Sequence, residues 1–157
     1  MTVIKTKGLA PGERIRYAEK MRACDWDAGR YLGDILLNDE TEAVFGEGSQ
    51  ALLLTENGEL LSFCTYAVQD EIDDMTLTPW IGFVYTFPEH RGQRLAGVLI
   101  EFAKRMAKAD GHEKIYVSSE EKGLYEKYGF TYLKDMPSVH GYTTQVFECG
   151  LTNTVRY

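Results

Sequence analysis

Phe87-Pro88-Glu89-His90-Arg91-Gly92-Gln93-Arg94-Leu95-Ala96-Gly97 joins two segments of different periodicity. Before it, Trp80-Ile81-Gly82-Phe83-Val84-Tyr85-Thr86 is rich in aromatic and β-branched residues and is closed by Pro88, so it reads as a strand. After it, Leu95, Val98, Leu99, Phe102 and Met106 recur at helical spacing, with Glu101, Lys104, Arg105 and Lys108 pointing outward. The spacing predicts a helix from about Gln93 to Ala109, ended by Gly111. A strand that feeds a helix through such a loop has a chemical use. The first turn of a helix exposes unpaired backbone N–H groups and a partial positive charge, which together can hold a pyrophosphate. Gly92 permits close backbone approach, Arg91 and Arg94 can add charge-assisted contacts, and the small Ala96 and Gly97 keep the first turn open.

Upstream, residues 2–7 suggest a first strand. Pro11 and Glu13 mark a helix start, followed by Ile15, Ala18, Met21 and Arg22 at helical spacing. A second helix is expected from about Asp25 to Leu37, burying Leu32, Ile35 and Leu36. The apolar runs Ala51–Thr55 and Leu60–Tyr66 flank Asn57-Gly58, a hairpin signal because both turn residues need positive φ. An acidic loop follows, with Asp70, Glu71, Asp73 and Asp74. Downstream come a strand over Lys114–Ser118 and a short helix ending at Tyr128, with Gly129 as a left-handed cap. Two closing strands are expected around Phe130–Leu133 and Thr143–Cys149. This order predicts an α/β (α+β) fold: a mixed, largely antiparallel sheet of six to seven strands with helices on both faces.

At 157 residues, with 44% hydrophobic and 26% charged residues, the chain is sized for a single domain with one core, taken as 1–157. No apolar run reaches membrane-span length and no signal peptide opens the chain, so a cytoplasmic protein is expected, with no membrane partner. Cys24, Cys64 and Cys149 are odd in number and lack metal-type spacing, which fits reduced, buried thiols. A net charge of −7 argues against nucleic acid and suits a cationic ligand better.

On Arg91-Gly92-Gln93-Arg94-Leu95-Ala96 after Pro88 the sequence resembles the GNAT superfamily, whose signature for the CoA pyrophosphate is Arg/Gln-x-x-Gly-x-Gly/Ala. Arg94 stands in place of the central glycine, and is expected to adopt helical φ/ψ there. A second match, about 30 residues on, is Leu124-Tyr125-Glu126-Lys127-Tyr128-Gly129-Phe130, against the family's (Phe/Leu)-Tyr-x-x-x-Gly-Phe. The resemblance covers roughly residues 80–133. It implies an acetyl-CoA-dependent N-acetyltransferase in which an amine attacks the thioester directly.

That resemblance places Arg91, Gly92, Gln93, Arg94, Leu95, Ala96 and Gly97 at the cofactor phosphates, and the backbone of Val84, Tyr85 and Thr86 along the pantetheine. It makes Tyr125 the proton donor to the departing thiolate, a role open to a phenol that is protonated at neutral pH. Among the loop carboxylates Asp70 ranks first as general base, because it lies nearest the preceding strand. Trp26, Tyr66 and Trp80 are candidates for the acceptor pocket, with core packing the plainer reading of each. His90, His112 and His140 show no ligand spacing, so no metal is expected. The acceptor is expected to be a small cationic primary amine. A protein lysine or N-terminal amine, and a non-catalytic acyl-CoA-binding module, stay open as alternatives. A homodimer enters only through the resemblance, since dimers are common in that family.

Overall fold

The computed structural model describes residues 1–151, so the expected domain limit at Tyr157 lies outside the described residues. The elements run β1 (Thr2–Lys5), α1 (Pro11–Arg22), α2 (Asp27–Leu37), α3 (Thr41–Phe45), β2 (Gln50–Glu56), β3 (Glu59–Ala67) and β4 (Trp80–Thr86). They continue with α4 (Leu95–Ala109), β5 (Lys114–Ser119), β6 (Thr131–Pro137) and β7 (Thr143–Gly150), and short 3-10 turns occupy Pro88–His90 and Tyr125–Tyr128. The seven strands form one sheet in the order β1-β2-β3-β4-β5-β7-β6. Every pairing is antiparallel except that of β4 with β5. Asn57 and Gly58 turn the β2–β3 hairpin with φ of 51° and 80°, as the Asn-Gly signal requires.

Successive residues of a strand face opposite sides of a sheet, and here both sides are covered. Leu52 and Leu54 on β2 join Leu95, Leu99, Ile100, Ala103 and Ala107 of α4 in one core. Ala51 and Leu53 join Tyr17, Ala18 and Met21 of α1 and Leu32, Ile35 and Leu36 of α2 in the other. Burial on both faces explains why β2 and β3 read as nearly continuous apolar runs rather than as alternating ones.

Two helical faces differ from the sequence expectation. In α1 the buried residues are Tyr17, Ala18 and Met21, while Ile15 is 42% exposed. In α4 the buried stripe is Leu95, Leu99, Ile100, Ala103 and Ala107, with Val98 42% exposed and Phe102 and Met106 on its flank. The large apolar side chains draw the eye, but a helix lying flat on a sheet puts its small residues at the closest approach. Ala103 and Ala107 therefore face the strands. The helix also begins at Leu95 rather than Gln93, and α3 carries no strong periodic signal in its five residues.

The feature that positions the site is the incomplete pairing of β4 with β5. Their ladder holds only Trp80 with Tyr116 and Ile81 with Val117, after which the strands part. On its other edge β4 stays paired to β3, but the register shifts: Gly82 faces Thr65 and Tyr85 faces Phe63. Two residues, Phe83 and Val84, thus oppose the single Cys64, and Phe83 takes the bulge with φ of 52°. From Gly82 onward the β5-side edge of β4 has no ladder partner.

Candidate active site

A cleft of about 350 Å³ opens where the two strands part, lined by β4 through Gly82, Phe83 and Val84 and by β5 through Val117, Ser118 and Ser119. Asp70, Glu71, Glu121 and Tyr125 also face it, with Trp26, His140 and Tyr142 at its aromatic side. Three carboxylates among aromatic rings make a wall suited to an organic cation, through charge and through the ring faces. Of the aromatic candidates only Trp26 lines the cleft. Trp80 is fully buried, donating from Nε1 to Leu77 O at 2.7 Å, and Tyr66 is buried, donating to Asp110 Oδ2 at 2.8 Å.

Asp70 sits over the backbone of β4. Its Oδ1 is buried and has no hydrogen-bond partner among the described residues. A Cβ on Gly82 would lie 2.4 Å from that oxygen, so only glycine admits the carboxyl at this place. Burial raises its pKa to about 6, a shift that the Glu71 backbone N–H and His140 oppose and the charge of Glu71 adds to. Glu71 is tied down instead. It accepts hydrogen bonds from Ser118 Oγ and Tyr142 OH, and its carbonyl accepts from the Val139 amide at 2.8 Å. The acidic loop is thereby stapled to β5 and to the β6–β7 hairpin.

Tyr125 is 6% exposed on its 3-10 turn, edge-on to Phe130 at 5.9 Å between ring centres. Burial raises its phenol above the ordinary tyrosine value, with Cys64, Glu121 and Asp70 adding to it. It is therefore protonated at neutral pH. Tyr128, one turn later, lies over Gly97, where a Cβ would come within 2.7 Å of the ring. Gly97 is thus a packing glycine under Tyr128, although it adjoins the expected cradle. Lys104 Nζ donates to Tyr128 O at 2.8 Å and fixes the end of that turn. Cys64 is buried, its thiol pushed up to about 12 by desolvation, and so is un-ionised.

Beyond β4, Gly92 turns with φ of 84° and Arg94 caps α4 in the left-handed region at φ 58°, ψ 34°. This corrects the expectation that Arg94 is helical. The chain reverses into the helix at this residue and takes a positive φ to do so. The first backbone bond inside the turn runs from Gly97 N–H to Arg94 O at 3.1 Å, and no side chain caps the helix. The amides of Gly92, Gln93 and Arg94, which precede α4, find no acceptor among the described residues, and Leu95 and Ala96 begin a helix with none behind them. Gly92, Gln93 and Arg94 are exposed, while Leu95 is buried and Ala96 half-buried. Such a run of open amides at a helix start fits a pyrophosphate.

Arg91 faces the other way. Its Nε donates to Thr86 O at 2.9 Å, its guanidinium lies 5.4 Å from the Tyr85 ring centre, and Asp25 is 3.8 Å from it. The Tyr85 side chain is buried, stacked on Trp26 at 5.7 Å and donating to Asp25 Oδ1. Among the three expected pantetheine partners, then, Val84 and Thr86 are half-buried on the open edge and Tyr85 anchors the edge from behind. Glu59, Glu89 and His90 converge within 4.8 Å of one another, but none of them lines the cleft. His90 Nε2 lies 2.9 Å from Glu59 Oε1.

Sequence reasoning missed Gly82, Glu71 as a staple, and the bulge at Phe83. Gly82 alone left a signal, since a glycine within a strand pattern marks close approach by another group. No helix among the described residues is long and apolar enough to cross a membrane.

No curated sequence is similar enough to the chain to count as a relative. Solved structures match along nearly its whole length. An aminoglycoside 6'-N-acetyltransferase from Enterococcus faecium superposes with a TM-score of 0.70 at 12% identity, over 99% of this chain and 100% of that one. The yncA protein of Salmonella typhimurium, solved with its cofactor acetyl-CoA, gives 0.61 at 19% identity, over 100% and 97%. Spermidine/spermine N-acetyltransferase SpeG from Vibrio cholerae gives 0.62 at 16%, over 96% and 92%. At these identities the likeness is one of fold. The family model described as an acetyltransferase (GNAT) domain matches residues 47–132, more than half of the sequence, and takes in both strands of the cleft, the Arg94 loop and Tyr125. The chain therefore belongs to the GNAT family of acetyltransferases.

Proposed function

We propose that the protein is an acetyl-CoA-dependent N-acetyltransferase that acts on a small cationic primary amine by direct attack in a ternary complex. The observation that carries this reading is the junction of three features at the parting of β4 and β5. An open strand edge leads to an uncapped helix start, and an acidic, aromatic cleft lies beside it with one unpartnered buried carboxylate. Acetyl-CoA supplies the activated acetyl group as substrate. The amides from Gly92 to Ala96 would hold its pyrophosphate, with Arg94 adding charge. The free edge at Val84 and Thr86 would pair with its pantetheine amides like an added strand, once Arg91 releases the Thr86 carbonyl. Backbone N–H on that edge would polarise the thioester carbonyl.

Asp70 would take the proton from the attacking amine. With a pKa near 6 it is ionised at neutral pH yet basic enough to accept a proton. Tyr125 would return a proton to the departing thiolate. Glu71, Glu121 and the rings of Trp26 and Tyr142 would hold the cation. A lysine-bearing peptide is the second reading, favoured by the acidic wall alone.

Thermal unfolding with and without excess acetyl-CoA, with ATP and NAD as controls, tests the cofactor assignment. At about 100 times its dissociation constant the ligand adds about 2.7 kcal/mol. For a domain of this size that is a rise in Tm of about 5–11 °C. No rise with acetyl-CoA would end the proposal.

A further inference from the structure

The acceptor cleft does not end at the parted strands. Glu71, Ser119, Glu121 and Tyr142 belong both to it and to a second cavity of about 440 Å³, which Glu120 and Thr144 also line. Glu120 and Thr144 in turn belong to a third cavity, of about 240 Å³, together with Asp135, Thr143 and Gln145. The three form one groove that runs from β5 across β7 to β6. Strand register sets its reach. Ser119 pairs with Gln145 and Gln145 with Asp135, so the three share one face of the sheet. Asp135 therefore stands two strand spacings, about 10 Å, from Ser119.

Charge along this groove is of one sign. Asp70, Glu71, Glu121, Glu120 and Asp135 follow one another along it, and among the described residues no lysine or arginine lines any of its parts. His140, beside the cleft, is the sole basic side chain on its walls. Lys134, next to Asp135, alternates to the other face of β6, where it acts on Asp74. None of the five carboxylates joins an ion pair among the described residues, although Glu13, Asp34 and Glu148 elsewhere do. Carboxylates strung along one groove without a counter-charge suit a ligand that carries several positive charges. The inner end adds an independent sign. Asp70 lines the cleft with its Oδ1 buried and unpartnered, and an ionised carboxylate in that state is stabilised by a cation beside it.

We propose that the acceptor carries at least two cationic nitrogens, the reacting one at Asp70 and a second held beyond β7 by Glu120 and Asp135. The substrate is then an elongated di- or polycationic amine. A compact monoamine would meet only Glu71 and Glu121 at the inner end. Which nitrogen reacts rests on the acetyltransferase reading, whereas capture of the outer nitrogen does not.

The test compares kcat/KM of the full chain for straight-chain α,ω-diamines, from diaminopropane to diaminododecane, with that for the amino alcohol of each length. The ratio of diamine to amino alcohol should rise until the chain spans about 10 Å. It should reach about tenfold, the share of two exposed ion pairs, and fall as salt is added. Glu120→Gln combined with Asp135→Asn should bring it back near unity. Both side chains are exposed, and asparagine keeps an acceptor for the Tyr132 hydroxyl, so the fold is retained. A ratio near unity at every length, or one that the double variant leaves in place, overturns the proposal. Absence of turnover with every amine would instead end the acetyltransferase reading, and titration calorimetry then decides on the groove. Tighter binding of the long diamine than of its amino alcohol, lost in the double variant, upholds the outer site; equal affinity overturns it.

Discussion

Replacing Arg94 by glycine should make the protein more stable and its hold on acetyl-CoA weaker. Arg94 sits at φ 58°, ψ 34°, where the Cβ of an L-residue crowds the following carbonyl at a cost of about 1–2 kcal/mol. Its side chain is exposed and makes no hydrogen bond or ion pair among the described residues, so little native contact is lost with it. Glycine removes the strain but frees the unfolded chain, which returns about 0.4–1 kcal/mol. The net gain is then about 0.5–1 kcal/mol, a rise in Tm of about 1–4 °C. Arg94→Ala is the control, because it removes the guanidinium and keeps the Cβ. Thermal unfolding should rank glycine above alanine, with alanine close to the wild type. Isothermal titration with acetyl-CoA should show both variants weakened about fivefold, the share of one exposed charge-assisted contact. Equal stability of the two variants would refute the strain argument, and wild-type affinity in both would refute a phosphate contact from Arg94.

Tyr125→Phe should lower kcat about 100-fold with the KM for acetyl-CoA unchanged, as expected for loss of a general acid, and steady-state kinetics would show it. The pH profile of kcat/KM should fall as pH drops through about 6, because Asp70 accepts a proton only when ionised. Stability follows the opposite sign: a carboxyl raised from 3.8 to about 6 by burial favours the fold when protonated, and that contribution is lost as pH climbs from about 4 to 6. Asp70→Asn should therefore gain about 1–2 kcal/mol in urea unfolding at neutral pH, a gain that vanishes below pH of about 4. Glu71→Ala cuts the staple to Ser118 and Tyr142, so the KM for the amine should rise about tenfold while acetyl-CoA binding, read by titration, stays level.

Local chemistry made much of this architecture legible in advance. Asn57-Gly58 can turn only one way at positive φ, and Gly129 closes the Tyr125 turn at φ 88° as a left-handed cap. The helix after Arg94 and both GNAT motifs were readable because spacing along a chain is a local property. The rotation of α4 was not, since Ala103 and Ala107 face the sheet for reasons of close approach that apolarity alone does not rank. The conformation of Arg94 was misjudged by weighing what arginine prefers rather than what the loop demands. Which carboxylate of the acidic loop turns inward depends on the room left by Gly82, 12 residues away, next to a bulge at Phe83 that carries no sequence mark. Asp70 ranked first by proximity to a strand, and the structure gives a different reason to single it out: its oxygen is buried and unpartnered.

The most direct measurement is amine-dependent release of CoA thiol from acetyl-CoA, with the acetylated product identified by mass spectrometry. Spermidine, an aminoglycoside and a lysine peptide would serve as acceptors, with Asp70→Asn as the comparison. The account predicts turnover with at least one small polyamine or aminosugar, a much lower rate with the peptide, and loss of most activity in the variant. Acetyl-CoA binding without turnover on any amine would contradict it and leave a GNAT domain that only binds its ligand.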